Sequence, residues 1–545
     1  MDSCSEFVLR KVAVADLETD PFKVGRVPKV FAAGWQENES GVETKWGSQS
    51  DVLNWLIRKI KRFDGLVYFH NGGKFDLLGY IVPKLGATLY GERATVIAGR
   101  IVKLKVGAAE VRDSYAILPA KLSAYDKGEI NYEWFEKTVR EDHKKEILVY
   151  LRRDCRSLRE LVMRFLSLHG PGPLTAASAG FRHLKSLGYP VSKMAESQDA
   201  KFRQWYFGGR VQAFEPGIHE GEFSIYDIKS AYPYAMCHDH ATGTEFDFLV
   251  TNIVLPTDFL YYEGESGGAF MARGKDKIDF PAVGKFFVTG WEYLEAKRKK
   301  KLKGKVIYVE RPKETQNYSR YVDHWFYQKS LAERRGDMGT RHIAKIMLNS
   351  AYGKFAQRPD RFRDYAFMPA DIATTKTWQQ AYLNEETNLS IWERPSAGFG
   401  TYYNVATAAS ITGFVRSCLL RAIAQCNPYY CDTDSVIVYK GHVPSPIGDS
   451  LGNWSLECEG DRLYIAGKKM YAFRLIGCDS ETAKKKGYYW DGEHAWKMAT
   501  KGARLLPGEV LRMCQGETIT WENAAPTFSL KDDVKFLTRR LKMTK

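Results

Sequence analysis

Tyr430-Cys431-Asp432-Thr433-Asp434-Ser435 stands between Pro428-Tyr429 and the apolar run Val436-Ile437-Val438-Tyr439. Aromatic and β-branched residues on both sides of a short polar tip predict strand, tight turn, strand, with Asp and Ser side chains bonding to the backbone at the turn. Two carboxylates then stand at a hairpin tip. Hard divalent cations take oxygen ligands, and Mg2+ is commonly held by one or two carboxylates while substrate phosphates complete its octahedron. An Asp-rich turn on a solvated hairpin would use the same residues. The hairpin therefore decides the fold only if the rest of the chain supplies a partner acid, a phosphate cradle and a path for nucleic acid.

The partner acid lies upstream. Phe223-Ser224-Ile225-Tyr226-Asp227-Ile228 reads as a strand ending on Asp227, followed by Lys229-Ser230-Ala231-Tyr232-Pro233. The turn after it, with Ser230 expected as a helix cap and backbone N–H groups free, suits a triphosphate tail. Tyr232 is expected against the sugar, where its bulk would exclude a 2′-hydroxyl. The stretch from Arg341 to Gly353 predicts a helix. At 100° per residue Arg341, Lys345, Asn349 and Tyr352 fall within about an 80° sector, while Ile343, Ile346, Met347 and Ala351 point toward a core. Cations, an amide and a phenol in one row suit an incoming nucleotide, with Lys345 and Arg341 on phosphates and Asn349 and Tyr352 nearer the sugar and nascent base pair.

A second set of acids precedes these. Val12-Ala13-Val14-Ala15-Asp16-Leu17-Glu18-Thr19 is an apolar strand running into acid, and the two-residue period puts Asp16 and Glu18 on one face. Leu66-Val67-Tyr68-Phe69 predicts another strand, leading into His70-Asn71-Gly72-Gly73-Lys74-Phe75-Asp76, whose glycines are expected to make the tight turn that brings Asn71 and Asp76 to one edge. From Glu146 to about Leu168 the pattern is helical, with Tyr150 and Asp154 four apart on one face. Asp16, Glu18, Asp76 and Asp154 with a tyrosine are what a two-metal nuclease needs, one ion activating water, the other stabilising the leaving oxygen, and a phenol orienting the attack.

In this order, Asp16-Leu17-Glu18, Asn71-x-x-x-Phe75-Asp76 and Tyr150-x-x-x-Asp154 resemble the three motifs of the 3′ to 5′ proofreading exonuclease fused to family B DNA polymerases. The resemblance implies that Asn71, Phe75 and Ser114 meet the single-stranded primer end and that Lys127 assists the phosphate chemistry; Tyr115 stands where leucine is usual. Trp205-Tyr206-Phe207-Gly208-Gly209-Arg210 is similar to the Tyr-x-Gly-Gly segment of Tyr206, Gly208 and Gly209 that passes DNA between the editing and synthetic sites. Lys345-x-x-x-Asn349-Ser350-x-Tyr352-Gly353 resembles the fingers motif, and Ala231 replaces a customary leucine. Lys469-x-Tyr471 resembles the pair that holds the primer strand, and Lys501 falls in a small thumb. Two Mg2+ ions are implied in each active site, with Mn2+ able to substitute. Asp227, Asp434 and the Ile228 carbonyl would hold one pair, with Asp432 more peripheral; Asp16, Glu18, Asp76 and Asp154 would hold the other.

The resemblance also implies a multidomain α/β and α+β fold. A ribonuclease-H-like exonuclease domain over residues 1–190 and the linker 191–215 would precede a right-hand polymerase. Its parts would be palm with a first insertion over 216–325, fingers over 326–358, a second insertion over 359–400, palm over 401–475 and thumb over 476–545. The short stretches before Asp16 and after Tyr471 match the compact protein-primed branch of phages, adenoviruses and linear plasmids. There the insertions bind a priming protein and encircle DNA, giving processivity and strand displacement. Expected partners are primer-template DNA, dNTPs and a priming protein, in the replication of a viral or plasmid genome. A primer-independent polymerase of the same family and a non-catalytic DNA-binding scaffold stay open as alternatives.

Composition is consistent with this reading. At 545 residues the chain exceeds one core and predicts several domains. Its formal charge of +15 favours a polyanionic partner, because neutralising phosphates releases condensed counterions. The 9 cysteines are scattered with no Cys-x-x-Cys pair, which argues against a zinc site or disulfide scaffold and for a reducing intracellular setting, the cytoplasm of a host cell. No apolar run approaches the roughly 18 residues of a membrane span. A monomer is expected. The basic runs Lys297 to Lys305 and Lys484 to Lys486 suit a solvated face as well as a grip on an acidic partner.

Overall fold

The computed structural model describes residues 11–39, 41–120, 130–275, 277–358, 362–369, 377–385, 389–395 and 403–544. Two large sheets organise it. The first takes the N-terminal strands in the order Arg93–Ile97, Arg100–Val106, Ala109–Asp113, Leu66–Phe69, Val12–Thr19, Val30–Glu37, Glu43–Trp46. At its centre Val12–Thr19 runs parallel to Leu66–Phe69, which runs parallel to Ala109–Asp113. Strands covered on both faces read as nearly unbroken apolar runs, and Val12 to Ala15 and Leu66 to Phe69 are all buried. One cover is the helix Lys144–His169, which buries Ile147, Tyr150, Leu151, Asp154, Cys155 and Leu158 at helical spacing. The helix Gln49–Arg62 buries Val52, Leu53, Leu56, Ile57 and Ile60, and the Ser48 hydroxyl caps it by accepting from the Asp51 N–H at 3.2 Å.

The same sheet has a continuation that the sequence did not announce. Phe362–Pro369, in the stretch expected to be an insertion between polymerase motifs, pairs antiparallel with Arg93–Ile97, and Leu389–Pro395 and Gln379–Asn384 follow outward. An edge strand presents unpaired backbone groups, and added strands satisfy them.

The second sheet runs Tyr489–Trp490, Ala495–Thr500, Met470–Leu475, Trp454–Gly467, Gly217–Ile228, Ser435–Tyr439, Tyr430–Asp432, Val211–Ala213. Residues 211–213, read as linker, thus form one edge of this palm sheet, and two strands from the stretch read as thumb form the other. Within the stretch expected to carry the first insertion, a separate sheet forms in the order His240–Leu249, Lys303–Gln316, Phe259–Glu265, Val283–Thr289. The stretch expected as fingers, 326–358, holds the end of the helix Ser319–Arg334 and the whole helix Met338–Phe355, the second capped by Asp337, whose carboxylate accepts from the Thr340 N–H at 3.1 Å. Among the described residues no helix is long and apolar enough to cross a membrane.

The C-terminal segment returns to the first domain. Phe528 and Leu530 join the core beside Leu77, Leu78 and Tyr80. The Phe528 ring lies 5.7 Å from the rings of both Phe75 and Tyr80, and a Cβ on Gly79 would stand only 2.7 Å from it. Phe528→Ala removes a ring shared between distant parts of the chain, at a cost of about 3 kcal/mol. Limited proteolysis should then cut the segment around residues 526–533 faster than in the parent protein, while the fingers and palm keep their parent cleavage rates.

Candidate active sites

The hairpin forms as predicted. Asp432 pairs with Ser435, and Thr433 takes the left-handed turn position at φ +62°. Ser435 in turn pairs with Asp227 across the neighbouring strand, and the Ile228 N–H donates to the Asp434 carbonyl at 2.8 Å. This register brings Asp227 and Asp434 together. Burial first, and then the Asp434 charge, lift the Asp227 carboxyl to about 7; burial and then Asp432 lift Asp434 to about 6. Asp227 Oδ1 is buried with no hydrogen-bond partner. An anionic oxygen in that position asks for a proton or a cation.

Asp432 is answered differently. Lys469 Nζ lies 2.8 and 2.9 Å from its two oxygens, and the Thr433 hydroxyl donates to it at 3.0 Å. The Lys469 N–H donates to the Tyr430 hydroxyl at 2.8 Å, and the buried Tyr471 ring lies 5.1 Å from Tyr430. The residues expected to grip primer therefore also brace the hairpin. Asp432 thus has its own cation, while Asp227 and Asp434 crowd two carboxylates that suit a hard cation.

Of the expected nucleotide groups, Tyr232 and Tyr352 both feel the Asp434 charge. Ile343, Ile346, Met347 and Ala351 are buried, and Lys345 and Asn349 lie exposed on the other face of the fingers helix. Arg341 Nε donates to Glu333 at 3.3 Å, and the Asn349 amide donates to the Lys345 carbonyl at 2.8 Å. Tyr352 stacks on Tyr232, with ring centroids 4.0 Å apart and planes within 9°. Burial, then Tyr206, push the Tyr352 phenol up to about 12, so Tyr206 borders the same space. Gly209 lies flat on the hairpin tip: a Cβ there would stand 2.6 Å from the Thr433 side chain, and the Thr433 N–H donates to the Arg210 carbonyl at 2.7 Å. Gly208 faces open space. Ser230 departs from expectation. It precedes the short helix Ala231–Met236, but its hydroxyl makes no cap bond, because its left-handed backbone (φ +51°) is not the extended conformation that aims a cap at the first-turn N–H groups.

In the N-terminal domain, Asp16, Glu18 and Asp154 each offer an oxygen within 4.8 Å of the others. Asp76 is buried beside them; burial, then the Asp16 charge, hold its carboxyl well above the ordinary range. Tyr150 lies with its hydroxyl 3.1 Å from that of Tyr132, and burial, then Asp154, raise it so that the phenol stays protonated. The turn before Asp76 differs from the expected glycine turn. The left-handed residue is Asn71 itself (φ +59°), whose side-chain oxygen accepts from Arg100 at 2.9 Å. Gly73 serves close approach instead: its N–H donates to Asp113 at 3.1 Å, and a Cβ would strike the Ile101 carbonyl. Phe75 is half-buried among aromatic rings. Ser114 is fully buried, its hydroxyl donating to the Phe69 carbonyl at 3.2 Å and meeting His70 Nδ1 at 3.0 Å, while the ring beside it belongs to Tyr115. Lys127 lies outside the described residues. Lys501 is exposed on a turn at φ +51°, its carbonyl accepting from Arg539 at 2.7 Å.

Two contributors escaped the sequence reading. Glu457, paired with Lys497, adds its charge to both Asp227 and Asp434. Arg416 is 1% exposed on the helix Val405–Cys426. It forks onto Glu292 at 2.7 and 2.8 Å and donates to the Phe207 and Gly208 carbonyls at 2.6 and 3.0 Å, fixing the Tyr-x-Gly-Gly segment from behind. Its one signal was an arginine within the apolar and small-residue run Val405 to Leu420; Glu457 carried none.

A profile of the family described as DNA polymerase type B, organellar and viral, matches residues 123–252 and 305–411. The DNA-directed DNA polymerase of Enterobacteria phage PRD1 is 36% identical over 560 residues, covering 98% of each chain. The DNA polymerase of Bacillus phage phi29 is 23% identical over 542 residues, covering 85% of this chain and 86% of that one. In fold, the solved complex of phi29 DNA polymerase with primer-template DNA and incoming nucleotide matches with a TM-score of 0.71 at 18% identity, over 98% of this chain and 100% of that one. With an exonuclease-like domain and a right-hand polymerase fold along the whole chain, and a relative of this identity along its whole length, this chain belongs to the organellar and viral type B DNA polymerases.

Proposed function

We propose that this chain replicates a viral or plasmid genome as a DNA-directed DNA polymerase, edits its product with a 3′ to 5′ exonuclease, starts from a separate priming protein and displaces the strand ahead of it. One observation carries this reading: the chain holds two acid clusters of different make-up, Asp227 with Asp434 beside the fingers helix, and Asp16, Glu18 and Asp154 with Asp76 and Tyr150. The compact plan between Asp16 and Tyr471 supports the protein-primed branch, and the absence of a membrane-spanning helix among the described residues is compatible with work inside a host cell.

Asp227 and Asp434 would hold Mg2+ for synthesis, and Asp16, Glu18, Asp76 and Asp154 would hold it for excision, since each set crowds carboxylate oxygens that suit a hard cation. When bound, such ions supply charge neutralisation at the reacting phosphate and acidify the attacking hydroxyl or water. The chain's own groups do the rest. Lys345 and Arg341 would meet the triphosphate; the stacked Tyr232 and Tyr352 would present a flat wall against a 2′-hydroxyl; Tyr150 keeps its proton and would donate a hydrogen bond to the attacking water.

Asp434→Ala should lower primer extension on the order of 10^3-fold or more while excision persists, and Asp16→Ala should do the reverse. Loss of both activities in either folded variant would sink the division into two sites. Tyr232→Ala should raise ribonucleotide use relative to dNTP by roughly 10- to 100-fold in single-nucleotide incorporation, the range that one hydroxyl in a pocket is worth.

The acid pair also sets a pH dependence. Asp227 near 7 and Asp434 near 6 both lie above the ordinary carboxylate value, so between about pH 4 and 7 the metal-free fold binds protons that the unfolded chain has released, and its stability falls as pH rises through that window. A divalent ion replaces those protons. In an Asp16→Ala background, millimolar Mg2+ should raise Tm more at pH 8 than at pH 6; an equal rise at both would remove the pair as the ion site.

A further inference from the structure

Directly after the strand bearing Asp16 and Glu18, the chain makes a loop whose large apolar side chains face solvent: Phe22 is 47% exposed, Val24 52% and Val27 41%. The loop is firmly held. The Asp20 N–H donates to the Lys29 carbonyl at 3.0 Å and Arg140 bonds the Asp20 carboxylate at 2.8 Å; Arg26 reaches the Pro21 carbonyl at 2.6 Å, and Lys23 pairs with Glu136 at 2.5 Å. A chain that spends this many bonds to hold an apolar ring in water has a use for the ring.

Its neighbours indicate the use. The Phe22 ring meets Phe75 edge to face at 5.4 Å, and Phe75 immediately precedes Asp76. Tyr80 and Phe528 fix Phe75 from other sides at 5.4 and 5.7 Å, leaving Phe22 the exposed member of the four rings. The Tyr80 hydroxyl donates to the Pro28 carbonyl at 2.7 Å and also feels both Asp76 and Asp20, so loop and acid cluster share one neighbourhood.

We propose that Phe22 is a base-stacking platform for the unpaired 3′ end of DNA as it enters the Asp16–Glu18–Asp154 cluster. This rests on the excision reading given above. Every base has a π-face, so a ring accepts any sequence, as an editing site must, and beside it Lys23 and Arg26 share the single carboxylate of Glu136, which leaves a net positive charge of the sign that attracts phosphates. One ring and two valines are far too small a face for a stable protein interface, which takes roughly 1,200 Å² or more. Single-stranded DNA is therefore the favoured occupant.

The test compares the parent protein with Phe22→Ala and Phe22→Trp in steady-state excision of a single-stranded oligonucleotide, and in anisotropy binding of a short fluorescent oligothymidine with Asp16→Ala added to each. Phe22→Ala should raise KM and Kd about five- to tenfold with kcat within about twofold, and Phe22→Trp should restore both. Extension of a fully paired primer should be unchanged. An unchanged KM and Kd, a fall in kcat alone, or Phe22→Trp as impaired as Phe22→Ala would overturn the proposal, as would a defect confined to reactions containing a priming protein. If the parent protein excised nothing, the acid-cluster reading would fall, and the anisotropy would still decide for or against Phe22.

Discussion

The register in which Gly217–Ile228 pairs with Ser435–Tyr439 is the constraint on which the Asp227–Asp434 pair depends. With Ser435 opposite Asp227, the turn residue Asp434 comes beside Asp227 although their charges repel. A slip of one residue would send every side chain of the strand to the other face. Apolar burial prevents it: Ile225, Val436 and Val438 on these strands are buried, and so are Leu463 and Ile465 on the strand that pairs along the other side. The cores on the two faces of the sheet thus hold two acids together, and their residual repulsion is what makes the pair receptive to a cation.

Around that register the chain builds support from distant segments. Lys469 neutralises Asp432 and so leaves the other two acids as the open pair. Arg416, anchored on Glu292, holds the backbone of Phe207 and Gly208 while Gly209 lies against Thr433. Removing one partner of such a buried ion pair typically costs about 3–5 kcal/mol, because the other charge is left stranded in apolar surroundings. The Tyr-x-Gly-Gly segment is therefore a clamped edge of the palm rather than a free linker.

The two halves are also tied together mechanically. The helix that carries Tyr150 and Asp154 reaches with Arg164 to Asp337 at the start of the fingers helix, and the helix Ala176–Ser186 packs on its far end through Phe181 and Phe355, 5.3 Å apart. Strands from residues 362–395 extend the exonuclease sheet, and Phe528 returns the C-terminal segment to the same domain. The two acid clusters are thereby built on connected elements whose relative positions the fold has set.

The sequence by itself determined the local chemistry. Short-range periodicity placed Asp16 with Glu18 on a strand, Tyr150 with Asp154 on a helix, the nucleotide row on one face of Arg341 to Tyr352, and two acids on a hairpin tip, because a period of two or of 3.6 is a property of neighbouring residues. The order of these motifs along the chain gave the family and the fold. Only the tertiary structure decided which carboxylates lie together and which is neutralised by Lys469, that Tyr232 stacks on Tyr352, that Ser230 does not cap, that Glu457 adds its charge to Asp227 and Asp434, and that Arg416 backs the Tyr-x-Gly-Gly segment. Apart from the Ser230 backbone, these depend on contacts between residues tens to hundreds of positions apart, where register, burial and close backbone approach are set by packing rather than by any pattern along the chain.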